Sequence, residues 1–388
     1  MSEKLSAKVK TKELLEAIKI MECFISRKKS EKEYLKAIYI EADKKNNILI
    51  LRSTDLKMSA KVKITGEINN DWKATVSCKI IKDLIKGISE GNIEFVIEKD
   101  KMIIQTSDSK SIISLMEDFG FPAQECLGST KRYMVNRLKL KTLLDNVAFS
   151  ASSDPENEAV NCVRLETDDG KLRAIGTDTY RLSYGETVLI QKEKSPKENL
   201  DVSVPSKAIT GIMKAIKSHL GAPIEPVLII CERNRISFKF DYAGIEIASD
   251  LINLEFPDYK TIMRSLKTDK KVTLNTKDFL AVLKRTHSIA KSNKEAKNGA
   301  IFDFSQNKLA IKSIDEYSEF KEEIATLYTG EDLKISLNVK FLIDFIGKVK
   351  DKTTVVLKML NNKSAVLVKS ETDDSWIYLI MPLALREY

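Results

Sequence analysis

Apolar residues recur along this chain at two periods, two residues and then three to four, and the alternation runs through three times. Leu5-Ser-Ala-Lys-Val9 and Tyr133-Met-Val-Asn136 alternate as half-buried strands do. Each is followed by a helical stripe: Leu14, Ile18, Met21 and Ile25; Leu140, Leu143, Leu144 and Val147; and, in the third pass, Phe279, Leu280, Leu283 and Ile289. Paired strands around polar turns come next. Ala37–Glu41 and Ile48–Leu51 flank Asp43-Lys-Lys-Asn-Asn47, Cys162–Glu166 and Lys171–Ile175 flank Thr167-Asp-Asp-Gly170, and Ala300–Phe304 and Lys308–Ile311 flank Ser305-Gln-Asn307. A second helical stripe follows: Ile80, Ile81, Leu84, Ile85 and Ile88; Ile209, Ile212, Met213 and Ile216; Phe341, Leu342, Phe345, Ile346 and Val349. Strands such as Ile93–Ile97 and Val355–Leu360 close each pass. The pattern predicts an α+β unit of two helices on antiparallel sheets, made three times.

Two markers measure the repeat. Lys79, Lys207 and Lys340 each open the second helix and stand 128 and 133 residues apart. Lys12-Glu-Leu-Leu15, Lys141-Thr-Leu-Leu144 and Lys277-Asp-Phe-Leu280 step by 129 and 136. A chain of 388 residues exceeds one hydrophobic core, and three domains of this size fit it, at 1–127, 128–255 and 256–388. The connectors Phe119-Gly-Phe-Pro122 and Leu254-Glu-Phe-Pro257 read as extended linkers, because the residue before proline is driven from helical conformation. Triplication points to a surface or a curve rather than to one catalytic cleft.

Composition narrows the classes. With 43% apolar residues and no apolar run of about 18 residues, no membrane-spanning helix is expected. The charged N-terminus lacks a signal core. Five dispersed cysteines, Cys23, Cys78, Cys126, Cys162 and Cys231, form neither a CxxC motif nor a disulfide framework and read as buried thiols in a soluble cytoplasmic protein. The net charge of +8 permits a polyanionic partner without requiring one.

Catalytic chemistry is sparse. The two histidines, His219 and His287, lie in different repeats, and His219 beside Gly221 suits a helix end. There is no phosphate loop and no dinucleotide fingerprint. Asp168-Asp169 and Asp373-Asp374 fall in predicted hairpin turns, where aspartate serves turn geometry; as metal-dependent nuclease ligands they would have to converge on one ion. No cofactor or metal is expected.

Basic residues stand opposite the apolar stripes: Lys79, Lys82 and Lys86; Lys139 and Lys141; Lys207, Lys214 and Lys217; Lys277, Lys284, Arg285 and Lys291; Lys340, Lys348 and Lys350. On a single helix they would be a solvated face. Repeated at equivalent positions on one concave side, they would sum to a track that holds phosphates without reading bases.

Three motifs carry a family resemblance. Gly176-Thr-Asp-Thr-Tyr-Arg-Leu-Ser183 resembles the Ala-Thr-Asp-Gly-His-Arg-Leu-Ala signature of the bacterial DNA polymerase III β subunit, the sliding-clamp family. Phe256-Pro-Asp-Tyr-Lys260 is similar to its Phe-Pro-Asp-Tyr-Arg connector, and Tyr378-Leu-Ile-Met-Pro-Leu383 to its Tyr-Val-Val-Met-Pro-Met ending. The resemblance spans the chain. It implies a non-catalytic processivity factor, a head-to-tail homodimer forming a six-domain ring around duplex DNA, with helices inside and sheets outside. It further implies the polymerase III α subunit, a clamp loader and other polymerases and repair proteins as partners, in the cytoplasm at the nucleoid.

Residue by residue, the resemblance places a client-peptide groove at Thr177, Thr179, Tyr180, Arg181, Leu182, Pro257, Ile262, Leu379, Ile380, Met381, Pro382 and Leu383. Leu182, Ile380 and Leu383 fit domain-packing core as well. Lys28 and Lys29 stand as DNA-facing residues of a basic loop, and Ile113 and Ile289 mark the subunit interface. Thr179 and Tyr180 depart from the family's Gly-His and make the groove wall bulkier. Ser152–Glu158, aligned with a DNA-touching loop, is acidic, and Leu385–Tyr388 extend past the usual end, where they could lie across the groove. A monomeric peptide-binding scaffold stays open as the alternative.

Overall fold

The computed structural model describes residues 5–28, 32–88, 91–117, 121–122, 131–190, 199–218, 225–293, 296–349 and 353–384. Its helices are α1 (Thr11–Met21), α2 (Cys78–Lys86), α3 (Arg137–Val147), α4 (Ser206–Lys217), α5 (Tyr259–Ser265), α6 (Thr276–Ala290) and α7 (Val339–Ile346). Among the described residues no helix is long and apolar enough to cross a membrane. The chain forms two compact units. One holds residues 1–144, 165–172 and 188–253, the other 145–164, 173–187 and 254–388.

The first unit is built on an antiparallel sheet. It runs from the edge strand Lys110–Ser114 through Lys101–Gln105, Asn92–Glu98, Leu5–Lys10, Met58–Ile68, Ile245–Asp250, Arg235–Phe240 and Pro226–Cys231 to Lys131–Asn136. Ile48–Thr54, Ala37–Asp43 and Trp72–Ser77 branch from Met58–Ile68. Helices α1, α2 and α4 pack together, with Leu14, Ile18, Ile81, Ile85, Ile209 and Ile212 buried between helix and sheet. Gly211 of α4 is required there: a Cβ would stand 2.2 Å from the Phe24 ring. Arg137, nearly fully buried, donates to Ala215 O, Ile216 O and Ser218 O at the end of α4 and pairs with Glu225 at 2.8 Å. These bonds satisfy carbonyls that a helix end leaves without partners.

In the second unit one sheet runs Arg181–Val188, Trp376–Ile380, Val366–Ser370, Thr354–Met359, Lys270–Asn275 and Leu327–Thr329. A four-stranded sheet runs Glu319–Ala325, Lys308–Ile314, Gly299–Ser305 and Leu333–Asn338. Helices α6 and α7 pack on them. Asn275 caps α6 by accepting from the amides of Lys277 and Asp278, and Asn338 caps α7 by accepting from Phe341. The core is aromatic, with the Phe345 and Tyr378 rings stacked 5.0 Å apart and Trp376 against Phe345 at 4.2 Å.

The repeat expected from the sequence is present in detail. A six-residue strand leads into α1, α3 and α6 alike. After the last strand of each copy the chain returns to an earlier strand through one backbone bond: Met116 N to Thr75 O at 2.8 Å, Ile252 N to Ser203 O at 3.0 Å, Leu383 N to Ser336 O at 2.8 Å. The predicted hairpins stand, their turns using Asn47, Asp169, Gly170 and Asn307 at positive φ.

Several expectations need correction. Ile25 lies beyond α1, because a 3₁₀ turn at Glu22–Phe24 ends the helix and the backbone then extends. Ile80 is half exposed, pointing away from the stripe formed by Cys78, Ile81 and Ile85. Ile289 is only partly buried; Phe279, Val282, Leu283, Thr286 and Ala290 form the inner face of α6. The second connector does not stay extended but turns into α5 directly after Asp258; of the first, only Phe121 and Pro122 are described. His287 meets Asn298 Oδ1 at 3.1 Å, while His219 lies outside the described residues. Asp373 accepts from the Ser375 amide and hydroxyl, and Asp374 pairs with Lys369, as turn residues do. Cys23, Cys78, Cys162 and Cys231 are buried thiols that form no disulfide among the described residues, and burial pushes the Cys78 thiol up to about 12; Cys126 lies outside the described residues.

Candidate functional site

The signature segment Gly176–Ser183 forms a tight turn and the strand that follows it. Gly176 sits where a Cβ would stand 2.4 Å from Val147 O, so the strand can approach the end of α3 this closely only with glycine. The Thr177 hydroxyl donates to Arg181 O at 2.6 Å and accepts from the Thr179 amide at 3.1 Å. Asp178 Oδ1 accepts from the amides of Tyr180 and Arg181. With both ends pinned, Thr179 is held at φ +76°, a conformation that favours glycine. Thr177, almost fully buried, therefore builds the turn.

Arg181 is held on three sides. Its Nε donates to Asp178 Oδ2 at 2.8 Å and its Nη1 to Asp344 Oδ2 of α7 at 2.9 Å, and its guanidinium lies 4.4 Å from the centre of the Phe341 ring. Burial alone would lower its pKa, but Tyr378, Asp178 and Asp344 outweigh burial and raise it. Burial likewise pushes the Tyr378 phenol up. Arg181 thus fastens the turn to α7.

Beyond the turn, Arg181–Gly185 pairs antiparallel with Trp376–Ile380, Leu182 opposite Leu379. Leu182, Leu379, Ile175 and Tyr259 form a separate apolar cluster, with Tyr184, Phe256, Met263 and Leu266 packed around it. Burial, and a hydrogen bond to Glu186, push the Tyr184 phenol up to about 12. Helix α5 supplies Tyr259 and Ile262. Asp258 caps it, accepting from the Thr261 amide and hydroxyl, bonds that hold the Asp258 carboxyl below its usual range. Sequence reading missed this helix; Asp258 ahead of a short run with apolar Ile262 and Met263 is the signal that marks it.

The segments that supply this cluster also carry exposed apolar side chains: Tyr180 is 66% exposed, Ile262 42% and Met381 42%. The Met381 amide donates to Tyr180 O at 2.8 Å, which sets two of them side by side. Pro257, Pro382 and Leu383 are partly buried, and Thr179 is exposed. Ile380 is a correction. It is 1% exposed and belongs to the aromatic core of its own domain, because alternation along the strand sends it to the face opposite Leu379. Leu385–Tyr388 lie outside the described residues.

The basic residues divide. Lys28, Lys79, Lys86, Lys139, Lys217, Lys277, Lys284 and Lys291 are exposed and Lys141 is partly so. Lys82 pairs with Glu22 at 2.6 Å, Lys207 with Asp55 at 2.6 Å, and Arg285 with Glu322 through two bonds. Lys340 pairs with Asp344, Lys214 donates to Lys19 O, and Lys348 lies over the Phe149 ring. The charge of Lys82, Lys207, Arg285 and Lys340 is thus offset by carboxylates, which sequence spacing could not show. Lys29 and Lys350 lie outside the described residues. The acidic loop is exposed at Asp154, Glu156 and Glu158. On the edge strand Lys110–Ser114 it is Ile112, 59% exposed, and not Ile113, 9% exposed, that faces outward. Among the described residues no group of three or more His, Cys, Asp or Glu could hold a metal ion.

Comparison with known proteins agrees along the whole chain. Residues 5–125, 134–258 and 266–384 match the N-terminal, central and C-terminal domain models of the DNA polymerase III beta subunit. The beta sliding clamp of Buchnera aphidicola (subsp. Acyrthosiphon pisum) is 24% identical over 346 residues, 87% of this chain and 89% of that one. That of Pseudomonas aeruginosa is 24% identical over 340 residues, 87% of this chain and 89% of that one. The crystal structure of the Thermotoga maritima beta subunit superposes with a TM-score of 0.88 at 22% identity, over 98% of this chain and 100% of that one. The Pseudomonas aeruginosa clamp bound to griselimycin superposes at 0.86 and 22% identity, with the same coverage. Three successive domain models and a shared fold show that this chain belongs to the DNA polymerase III beta subunit family.

Proposed function

We propose that this protein is a sliding clamp, a non-catalytic ring that holds a replicative polymerase on DNA. Two copies join head to tail, a heterologous contact that closes after two steps, and make six similar domains, three per chain at 1–127, 128–255 and 256–388. The ring encircles duplex DNA without reading sequence. Exposed lysines on the helices, Lys79, Lys86, Lys139, Lys277 and Lys284 among them, supply a weak phosphate attraction, and topology supplies retention. Its partners are the polymerase III α subunit, a clamp loader, and other polymerases and repair proteins, in the cytoplasm at the nucleoid.

The observation that carries the reading is a buried apolar cluster whose own segments also carry exposed apolar side chains, on a chain that matches the family in all three domains. Leu182, Leu379 and Tyr259 are the floor, and Tyr180, Ile262 and Met381 are side chains that a peptide's own apolar residues would cover. The Pseudomonas relative bound to griselimycin is in keeping with a ligand site on this fold. Retention on closed circular DNA, with loss after linearisation, is the expected result when the protein is loaded by its clamp loader. Equal loss from both forms would reject encirclement, and a monomeric native mass would leave the scaffold reading.

A further inference from the structure

The turn of the signature segment has a counterpart in the first unit. In Thr54–Met58, Asp55 N donates to Met58 O at 3.1 Å, Thr54 Oγ1 donates to Met58 O at 2.8 Å, and Leu56 is held at φ +77°. In Thr177–Arg181, Asp178 N donates to Arg181 O at 3.3 Å, with Thr179 at φ +76°. The strands that leave the two turns pair in the same register, Met58 opposite Ser249 and Arg181 opposite Ile380. Three residues further on, Lys61 stands opposite Glu246, where the equivalent Tyr184 stands opposite Ile377. One position thus holds two opposite charges in the first copy and an aromatic against an aliphatic side chain in the second.

Lys61 belongs to a row of charges across the sheet. Arg52 stands opposite Lys61, Lys61 opposite Glu246, and Glu246 opposite Lys239, so the four share one face on successive strands. The acids there are already engaged. Glu41 accepts from Arg52 Nη1 at 2.6 Å, and Glu246 pairs with Lys239 at 3.1 Å. Lys61, partly buried between these pairs, has no ion pair and no hydrogen bond among the described residues. Lys63, two residues along the same strand, adds another cation to that face. Burial, and then Arg52 and Lys63, hold the Lys61 ammonium below the usual lysine range; Glu246 and Glu41 act the other way and are outweighed. A lysine short of water and set beside other cations is the free amine more of the time than an ordinary lysine, and the free amine is the nucleophile.

We propose that Lys61 is a modification site, a surplus amine between two ion pairs that takes an acyl group from a small activated donor of the acyl phosphate class. The neutral amine attacks the acyl carbonyl. A nitrogen–carbon bond forms and the bond from that carbon to the phosphate oxygen breaks; phosphate leaves with the electron pair, and the surplus proton of the amine passes to water. The product is an uncharged amide. Of the row, Arg52 with Glu41 and Lys239 with Glu246 then remain as two complete pairs, and the repulsion of Lys61 by Arg52 and Lys63 is gone. Lys61 acts here as a nucleophile whether or not a ring closes or a client binds.

The test treats the full folded chain with acetyl phosphate at limited conversion and reads each lysine by peptide mass spectrometry. Lys239 is the internal control, partly buried like Lys61 but paired with Glu246, and Lys63 is the exposed neighbour. Lys61 should be acetylated roughly fivefold faster than Lys239 and ahead of Lys63. A Lys61 no faster than these two overturns the site. In urea the preference should vanish; a preference that survives unfolding belongs to the local sequence and also overturns it. Arg52→Gln removes one cation and releases Glu41 to Lys61, so it should bring Lys61 down to the rate of Lys239. Lys63→Gln, at an exposed position that tolerates change, should slow Lys61 by a smaller factor. Unchanged rates in these variants would show that the charge cluster does not activate the amine. Lys61→Gln, which carries an uncharged amide in place of the ammonium, should unfold at a temperature no lower than the parent chain; a lower one would mean that the ammonium is needed by Glu41 and Glu246 and is not surplus.

Discussion

Two joints of this chain share one backbone design and differ in what they bury. At the first, the turn Thr54–Met58 and strand Met58–Ile68 meet Ile245–Asp250; at the second, Thr177–Arg181 and Arg181–Val188 meet Trp376–Ile380. The turn bonds and the register are equivalent. Yet the pair after the turn is Ser59 opposite Ala248 in one and Leu182 opposite Leu379 in the other. Even the ionic fastening is inverted. The first turn offers an acid, Asp55, to Lys207 of α4, and the second offers Arg181 to Asp344 of α7. Backbone pairing is thus sufficient for a joint, and the apolar layer at the second joint is an addition that structure alone does not require.

The strongest way to break this comparison is to make the second joint like the first. Leu182→Ser with Leu379→Ala should keep the fold and weaken an apolar client peptide by roughly 100-fold, because buried anchors dominate such interfaces. Calorimetric titration reads the affinity and circular dichroism the fold; unchanged affinity would show that the floor binds nothing. Met381→Ala with Leu383→Ala trims the rim and should cost about tenfold in the same titration.

The fastenings should differ in strength. Arg181→Ala leaves Asp178 without its cation and Asp344 with Lys340 alone, and should cost about 3 kcal/mol in denaturant unfolding. Lys207→Ala, at a more exposed site, should cost under about 1 kcal/mol. Equal losses would mean that the two joints carry equal ionic weight.

The turns should respond alike. Thr179→Gly and Leu56→Gly each relieve a positive φ, and each should stabilise by up to about 1 kcal/mol, less the entropy that glycine adds to the unfolded chain. The smallest effect is with pH. Burial would raise the Glu22 pKa, but the bond to Lys82 outweighs it and holds Glu22 below its ordinary value. Its contribution is therefore complete above the unfolded carboxylate pKa and lost as pH falls through the lower folded value. Lys82→Met should flatten the acid limb of the stability curve; an unchanged limb would show the pair to be inert.

Much of the fold was legible because periodicity is local. Leu140, Leu143, Leu144 and Val147 are all buried as their spacing requires, and the Asn and Asp-Gly turns form where those residues accept positive φ. Of the residues proposed for the groove, Leu182 and Leu379 share one buried apolar cluster and Tyr180, Ile262 and Met381 are exposed, whereas Ile380 turned inward and Arg181 and Thr177 hold the turn. Motif membership says which residues are near a site, and strand alternation decides which of them face it.

What the sequence determined by itself is the unit and its number: helix and strand periods, turn chemistry and a recurrent lysine specify three similar domains, since each depends on residues a few positions apart. What only the tertiary structure decided is how neighbouring copies are used. Whether Lys207 meets a carboxylate, whether Ile112 stays uncovered and whether Leu379 finds Leu182 depend on residues more than a hundred positions apart. Those partners are selected by the pairing of strand edges, which no local pattern encodes.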